Sequence, residues 1–127
     1  MRNYVKLVTV LAGIAFVALA LAVPASAHHG WSEYGDEQFE ITGTLETPVS
    51  LAGPHGTAQI RVNDDVWDLV FAPSTRTASA GLTEDVIPVG DPVTASGHRH
   101  LDAATLEIKV ERLTWNDRLF NVYPDRN

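Results

Sequence analysis

The chain has 127 residues, with 16 Asp and Glu against 9 Lys and Arg, and a formal net charge of −7 with histidines neutral. This acidic balance argues against nucleic acid as a partner, because phosphate binding relies on a surplus of Lys and Arg. Cysteine is absent, which excludes disulfides and thiolate ligands and leaves imidazole, amine and carboxylate groups for any metal.

Residues 1–27 have the features of a secretory signal peptide. Arg2 and Lys6 give a positive start, residues 7–23 are almost wholly apolar, and residues 25–27, Ala-Ser-Ala, match the small-residue cleavage rule. An uncleaved anchor is the alternative, but the apolar run is short for a membrane span and no basic cluster follows it. We predict a periplasmic or secreted protein that has no membrane attachment after cleavage.

The part that remains, residues 28–127, suits a single domain. Residues 28–37 are polar and turn-prone and are predicted to form an N-terminal arm, and residues 38–127 to form the domain. This part contains seven Lys and Arg and all sixteen Asp and Glu, so it is more acidic than the whole chain.

Alternating apolar and polar residues predict the first three strands. Residues 39–46 alternate with a period of two, and residues 48–56 hold two prolines and two glycines, which indicates a loop. Residues 57–62 alternate again, and a tight turn at 63–65 leads into a strand at 66–71.

The second half of the domain begins with a short helix, for which Ser74 is a candidate cap and Gly81 a candidate end. A fourth strand follows at 92–98 and a turn at 101–103. A fifth strand, 106–115, changes its apolar parity near Arg112, which predicts a β-bulge. Residues 119–123 form a last short strand.

This element order predicts a mainly β fold: a small, five- to six-stranded, OB-like Greek-key barrel with a short helical connector, preceded by a cleavable signal helix. A β-sandwich would need about seven regular strands.

Five histidines lie at three places in residues 28–127: His28 and His29 at the start, His55 in the first loop, and His98 and His100 at the end of the fourth strand. Cleavage after residue 27 would give His28 a free amine beside its imidazole. The loops after the first and fourth strands of an OB barrel flank one binding face, which predicts that two of the three groups converge.

The spacing of His98 and His100 places both side chains on one face of a strand, and their parity places them outside the barrel, where a ligand can reach. Amine and imidazole nitrogens favour copper, and zinc is the second choice because it also accepts three or four histidines. His29 could anchor Cu(II) in place of His28.

Other sites have weaker support. Asp64, Asp65 and Asp68 lack the spacing of a calcium loop, and no serine has the setting of a hydrolase nucleophile, so no enzyme activity is predicted. Trp67 alternates with core residues and is predicted to be buried, whereas Trp31 lies beside the histidines and is predicted to support them.

The chain resembles a bacterial family of small exported proteins of unknown function whose precursors carry Ala-His-His-Gly-Trp at the cleavage site. The similarity extends over nearly all of residues 28–127, and its motifs are Gly43-Thr44-Leu45, Pro54-His55, Trp67, Ala72-Pro73-Ser74, Gly81-Leu82-Thr83 and Gly90-Asp91 leading to Gly97-His98. The family has Asn-Pro-His where this chain has Gly53-Pro54-His55. The resemblance implies His28, His55 and His98 as a ligand set, similar to exported copper-binding domains that use an N-terminal histidine.

Two functions follow as expectations. The first is an exported metal-binding protein, with copper held by His28, His55 and His98 and with His29 and His100 as alternates, acting in metal carriage or tolerance. The second is a metal-free OB-like interaction module that binds a peptide, a glycan or a partner protein.

Overall fold

The computed structural model describes residues 30–126. Six strands and one helix follow one another in this part of the chain: β1 (Phe39–Ser50), β2 (His55–Val62), β3 (Asp65–Pro73), α1 (Ser74–Ser79), β4 (Pro92–Arg99), β5 (Glu107–Trp115) and β6 (Arg118–Asn121). The predicted mainly β class with a short helical connector is confirmed, whereas the predicted signal helix lies outside the described residues.

The strands form one sheet in the order β3-β2-β1-β4-β5-β6. A parallel pairing of β3 with β5, from Asp68↔Glu107 to Val70↔Lys109, closes the first five strands into a barrel. The sixth strand adds to β5 outside the closure. This is the predicted five-stranded OB-like barrel with one extra strand.

The inward positions of the alternating strands fill the barrel. Trp67 is among them, as its alternation predicts, and is 7% exposed. Trp115 packs against the core, and its indole Nε1 donates to Asp91 Oδ2 at 2.9 Å. The largest fully buried apolar side chains are Phe71, Phe120, Leu45, Ile60, Leu69, Leu82, Ile108, Leu113, Val49, Val93 and Val110.

The first strand is longer than the alternation indicates, because it continues through Pro48 to Ser50. Its register against β2 shifts twice, between Leu45 and Thr47 and between Thr47 and Ser50. A proline is tolerated in a strand at such irregular positions, where its missing N–H breaks no ladder bond. The loop to β2 therefore covers only residues 51–54.

The helix begins and ends close to the predicted positions, but its cap differs. No side chain caps its N-terminus, since the Ser74 hydroxyl donates to the Gly53 carbonyl instead. Gly81 follows the helix with φ of 89°, a backbone conformation that glycine adopts at little cost.

The predicted bulge in β5 is confirmed and lies at Glu111. Ser96 pairs with Arg112 and the next residue, Gly97, pairs with Val110, so Glu111 is the extra residue of the fifth strand. Gly97 is needed at this point, because a Cβ there would lie 1.9 Å from the carbonyl oxygen of Lys109. Bulges turn a side chain away from the regular alternation, and this one brings Glu111 into a buried position.

Within residues 30–126, no helix has the length and apolar character that crossing a membrane requires.

Candidate functional site

A groove of about 760 Å³ crosses the outer face of β2 and β3. Strand register aligns its floor, because Glu107 lies opposite Asp68, Asp68 opposite Gln59, and Gln59 opposite Thr47. Adjacent strands are about 4.8 Å apart, so this row of four side chains extends over roughly 14 Å. In OB-folds, the face of the second and third strands is the ligand-binding face.

The groove is acidic. Asp68 and Glu107 pair at one end of the row, and Glu84 lies at the other end, beside Leu51 after β1. Asp85, from the same segment between α1 and β4, also lines the groove. The residues that line the groove include no Lys, Arg or His. Its negative charge is therefore not balanced by a cation within its own lining.

Neutral donors orient the two carboxylates of the strand row. Gln59 Nε2 donates to Asp68 Oδ1 at 2.9 Å, and the Tyr34 hydroxyl donates to Glu107 Oε2 at 2.7 Å. At the other end, Glu84 Oε1 accepts from the backbone N–H of Leu51 at 3.2 Å. Such bonds hold a carboxylate in place without cancelling its charge.

A different cluster surrounds His98, which is 7% exposed. Its Nδ1 lies 2.8 Å from the carbonyl oxygen of Gly35, which can only accept, so Nδ1 carries a proton. Its Nε2 lies 2.7 Å from Oε1 of Glu111, and the Gln38 amide donates to the same oxygen at 2.7 Å. Both ring nitrogens of His98 are therefore occupied within the protein.

The N-terminal arm buries His98. The Trp31 ring meets the His98 ring edge-on at 5.5 Å between centroids and contacts the Tyr123 ring at 5.0 Å. The ammonium group of Lys109, the residue opposite His98 on β5, lies 5.5 Å from the Trp31 centroid. The arm and the C-terminal segment thus cover the outer face of β4 and β5 with a layer of rings.

The His98 side chain points outward, as its parity indicates, and the arm folds back over it. That a ligand reaches His98 stays a prediction. The prediction that Trp31 supports a histidine agrees with the contact to His98. A smaller polar cleft of about 440 Å³ adjoins this cluster, lined by Asp36, Gln38, His98, Glu111, Asp125 and Arg126.

His55 and His98 lie on strands that are not neighbours in the sheet, since β1 lies between β2 and β4. Around the barrel closure, His98 pairs with Lys109, Lys109 with Val70, and Val70 with Thr57, which is two residues from His55. Three strand spacings of about 4.8 Å and two residues of about 3.3 Å bound the separation of the two backbones at roughly 21 Å. That the two side chains share one ligand stays a prediction.

The remaining histidines divide between described and undescribed residues. His100 accepts from the backbone N–H of Asp102 through Nδ1 at 3.0 Å, and its ring lies 5.6 Å from the Tyr34 ring. His28 and His29 lie outside the described residues, so their part in copper or zinc binding stays a prediction. Among the described residues, no group of three or more His, Asp or Glu side chains is arranged to hold a metal ion.

The groove was not predicted from the sequence. Asp68 was considered only for a calcium loop, and Glu107 only as an outward position of a strand. A feature of the sequence that could have predicted the groove is that Asp68 and Glu107 both occupy outward positions on strands that an OB barrel pairs with each other. Tyr34 had no such signal, because the arm showed no periodicity.

No protein-family model matches this chain, and no curated protein matches it. Among solved structures, the chain is similar to one chain of the Stn1-ten1 complex of S. pombe, with a TM-score of 0.50 and 13% identity over 61% of this chain and 57% of that one. It is also similar to TiaS, crystallised with agmatine, with a TM-score of 0.47 and 16% identity over 62% of this chain and 21% of that one. The chain thus covers less than two thirds of the length of either.

The shared fold corrects the prediction that nucleic acid is excluded as a partner. The OB barrel, which this chain shares with the Stn1-ten1 structure, is an architecture that binds oligonucleotides as well as oligosaccharides. A net charge summed over the whole chain therefore does not exclude that class of partner.

Proposed function

We propose that this chain is an exported OB-fold binding module that takes an extended basic peptide segment of a partner into the groove across β2 and β3. The observation that carries the proposal is the position of the groove, on the face that OB-folds use for ligands. Its volume, about 760 Å³, is within the range of small-molecule and peptide sites.

The charge of the groove selects the class of ligand. Asp68 and Glu107 are adjacent at one end, and Glu84 and Asp85 line the groove with them. The two strand carboxylates accept hydrogen bonds from neutral groups, so a Lys or Arg side chain of a ligand would add a directly bonded cation. The roughly 14 Å row suits a peptide of about four extended residues.

The contrast with Glu46 supports this interpretation. Glu46 lies on β1, next to Thr47 of the groove, but is not one of the lining residues. It forms an ion pair with Arg61 through two hydrogen bonds, the shorter at 2.7 Å. The side-chain hydrogen bond from Arg61 holds the pKa of Glu46 below its ordinary value. An exposed carboxylate outside the groove thus already has a cationic partner, unlike Asp68.

Binding of a fluorescein-labelled eight-residue oligolysine, followed by fluorescence anisotropy at low salt, tests the proposal. The double variant Asp68→Asn, Glu107→Gln should weaken binding about tenfold or more, which corresponds to ~1.4 kcal/mol. Glu46→Gln is the matched control and should leave the affinity unchanged. Equal affinity of the double variant and the control would refute the proposal.

Direct titrations distinguish the other ligand classes of OB-folds, because an oligonucleotide would bind the cationic probe itself. An unlabelled oligolysine should displace the probe, and a labelled single-stranded oligonucleotide and a labelled oligosaccharide are each titrated without the probe. If an oligonucleotide binds the protein directly and the groove variants weaken that binding, the ligand is a nucleic acid and the peptide proposal is wrong.

A further inference from the structure

The N-terminal arm hydrogen-bonds to a residue that lines the groove. Tyr34 reaches Glu107, 73 residues away in sequence, and its hydroxyl donates to Glu107 Oε2 at 2.7 Å. Glu107 is one of the residues that line the groove, and it pairs in register with Asp68. The arm therefore contacts a carboxylate of the proposed binding face directly.

Backbone hydrogen bonds on both sides of Tyr34 fix its position. Gly35 N–H donates to the carbonyl of Arg99 at 2.9 Å, and Leu101 N–H donates to the carbonyl of Glu33 at 2.9 Å. Together they form an isolated bridge between Tyr34 and His100 at the end of β4. The ring of Tyr34 also packs edge-on against the ring of His100.

The backbone of Glu107 is hydrogen-bonded to the same residues at the end of β4. His100 N–H donates to the carbonyl of Glu107 at 3.0 Å, so residues 99–101 hold both Tyr34 and Glu107. The hydroxyl stays protonated, because burial, and secondly the bond to Glu107, raise the pKa of Tyr34 above its ordinary value. It therefore acts as a donor across the neutral pH range.

The bond has a specific role because Glu107 lies opposite another carboxylate. Like charges on paired strands repel, and a free Glu107 side chain would turn away from Asp68. A hydroxyl donor on one oxygen restricts that rotation and leaves the other oxygen available. Gln59 acts on Asp68 in the same way.

We propose that Tyr34 is a positioning residue of the groove, whose hydroxyl holds the Glu107 carboxylate in place to receive a basic side chain of the ligand. This inference rests on the proposed function of the groove. It extends the binding apparatus from the barrel to the N-terminal arm.

A double-mutant cycle with the oligolysine probe tests the inference. Tyr34→Phe, which removes only the hydroxyl, should weaken binding by about 3- to 10-fold, the range of one hydrogen bond. The same change in a Glu107→Gln background should have no further effect. In a Glu84→Gln background, at the other end of the groove, the effect of Tyr34→Phe should persist in full.

The outcomes separate the two proposals. If Tyr34→Phe binds as the wild type does while Glu107→Gln is impaired, the positioning role is refuted and the groove stands. If Tyr34→Phe weakens binding equally in all three backgrounds, the residue acts through general stability and the inference is also refuted. If Asp68→Asn and Glu107→Gln both leave binding unchanged, the groove itself is wrong.

Discussion

Alanine at Glu111 should destabilise the barrel strongly, because this carboxylate is a structural element of the fold. Glu111 is 1% exposed, and its Oε1 lies 2.7 Å from both His98 Nε2 and Gln38 Nε2. Removing it leaves two polar groups beside a cavity, each at a cost of ~1–3 kcal/mol, and breaking a buried pair costs about 3–5 kcal/mol. We expect a loss of about 3 kcal/mol, which lowers the Tm of a domain of this size by roughly 12–24 °C.

Urea unfolding followed by tryptophan fluorescence measures this loss. His98→Ala should be similarly harmful, and the double variant should lose less than the two single losses together, with a coupling of about 1–3 kcal/mol. Glu46→Ala, which breaks an exposed pair with Arg61, is the control and should leave the midpoint almost unchanged. A loss below about 1 kcal/mol for Glu111→Ala, within the range of exposed pairs, would refute the reasoning.

Three further predictions concern single positions. Gly97→Ala should cost about 3 kcal/mol, because its Cβ would overlap a backbone oxygen. Gly30→Ala, whose Cβ meets nothing within 4 Å among residues 30–126, should change stability by less than about 0.5 kcal/mol, and thermal unfolding of both variants checks this. Burial lowers the pKa of Lys109, so the unfolded chain binds the Lys109 proton more tightly than the folded chain does. The free energy of unfolding should therefore rise with pH as the pH approaches 10.5 from below. Lys109→Met should remove this pH dependence, which urea unfolding at several pH values measures. Burial raises the pKa of Tyr34, so its contribution should be lost as pH rises above 10, and Tyr34→Phe should reduce the alkaline loss in the same experiment.

The strands were predictable because their signals are local. Alternation over residues 39–46 and the tight turn at 63–65, where Asn63 has a positive φ of 55°, depend only on neighbours in sequence. The parity slip near Arg112 likewise predicted the bulge at Glu111. Pro48 predicts the start of a loop because proline usually ends a strand, and only pairing with β2 shows that the strand continues.

The sites were less predictable because they depend on contacts between distant segments. The parity of His98 was correct, but its exposure depends on Trp31, 67 positions earlier, which lies in an arm without periodicity. The groove row joins Thr47, Gln59, Asp68 and Glu107 through three strand registers, and a shift of one residue in any of them would separate the row.

The carboxylates of this chain differ in what balances them, and this difference bears on function more than the net charge does. Glu46 pairs with Arg61, and Glu111 lies 3.8 Å from the guanidinium of Arg126, so these two are balanced within the protein. Asp68 accepts from the neutral Gln59 and Glu107 from the neutral Tyr34, and a coulombic interaction with Lys109 acts on Glu107 as well. The groove on the ligand face of the barrel thus holds carboxylates that neutral groups orient. Under the proposed function, the partner supplies a positive charge there.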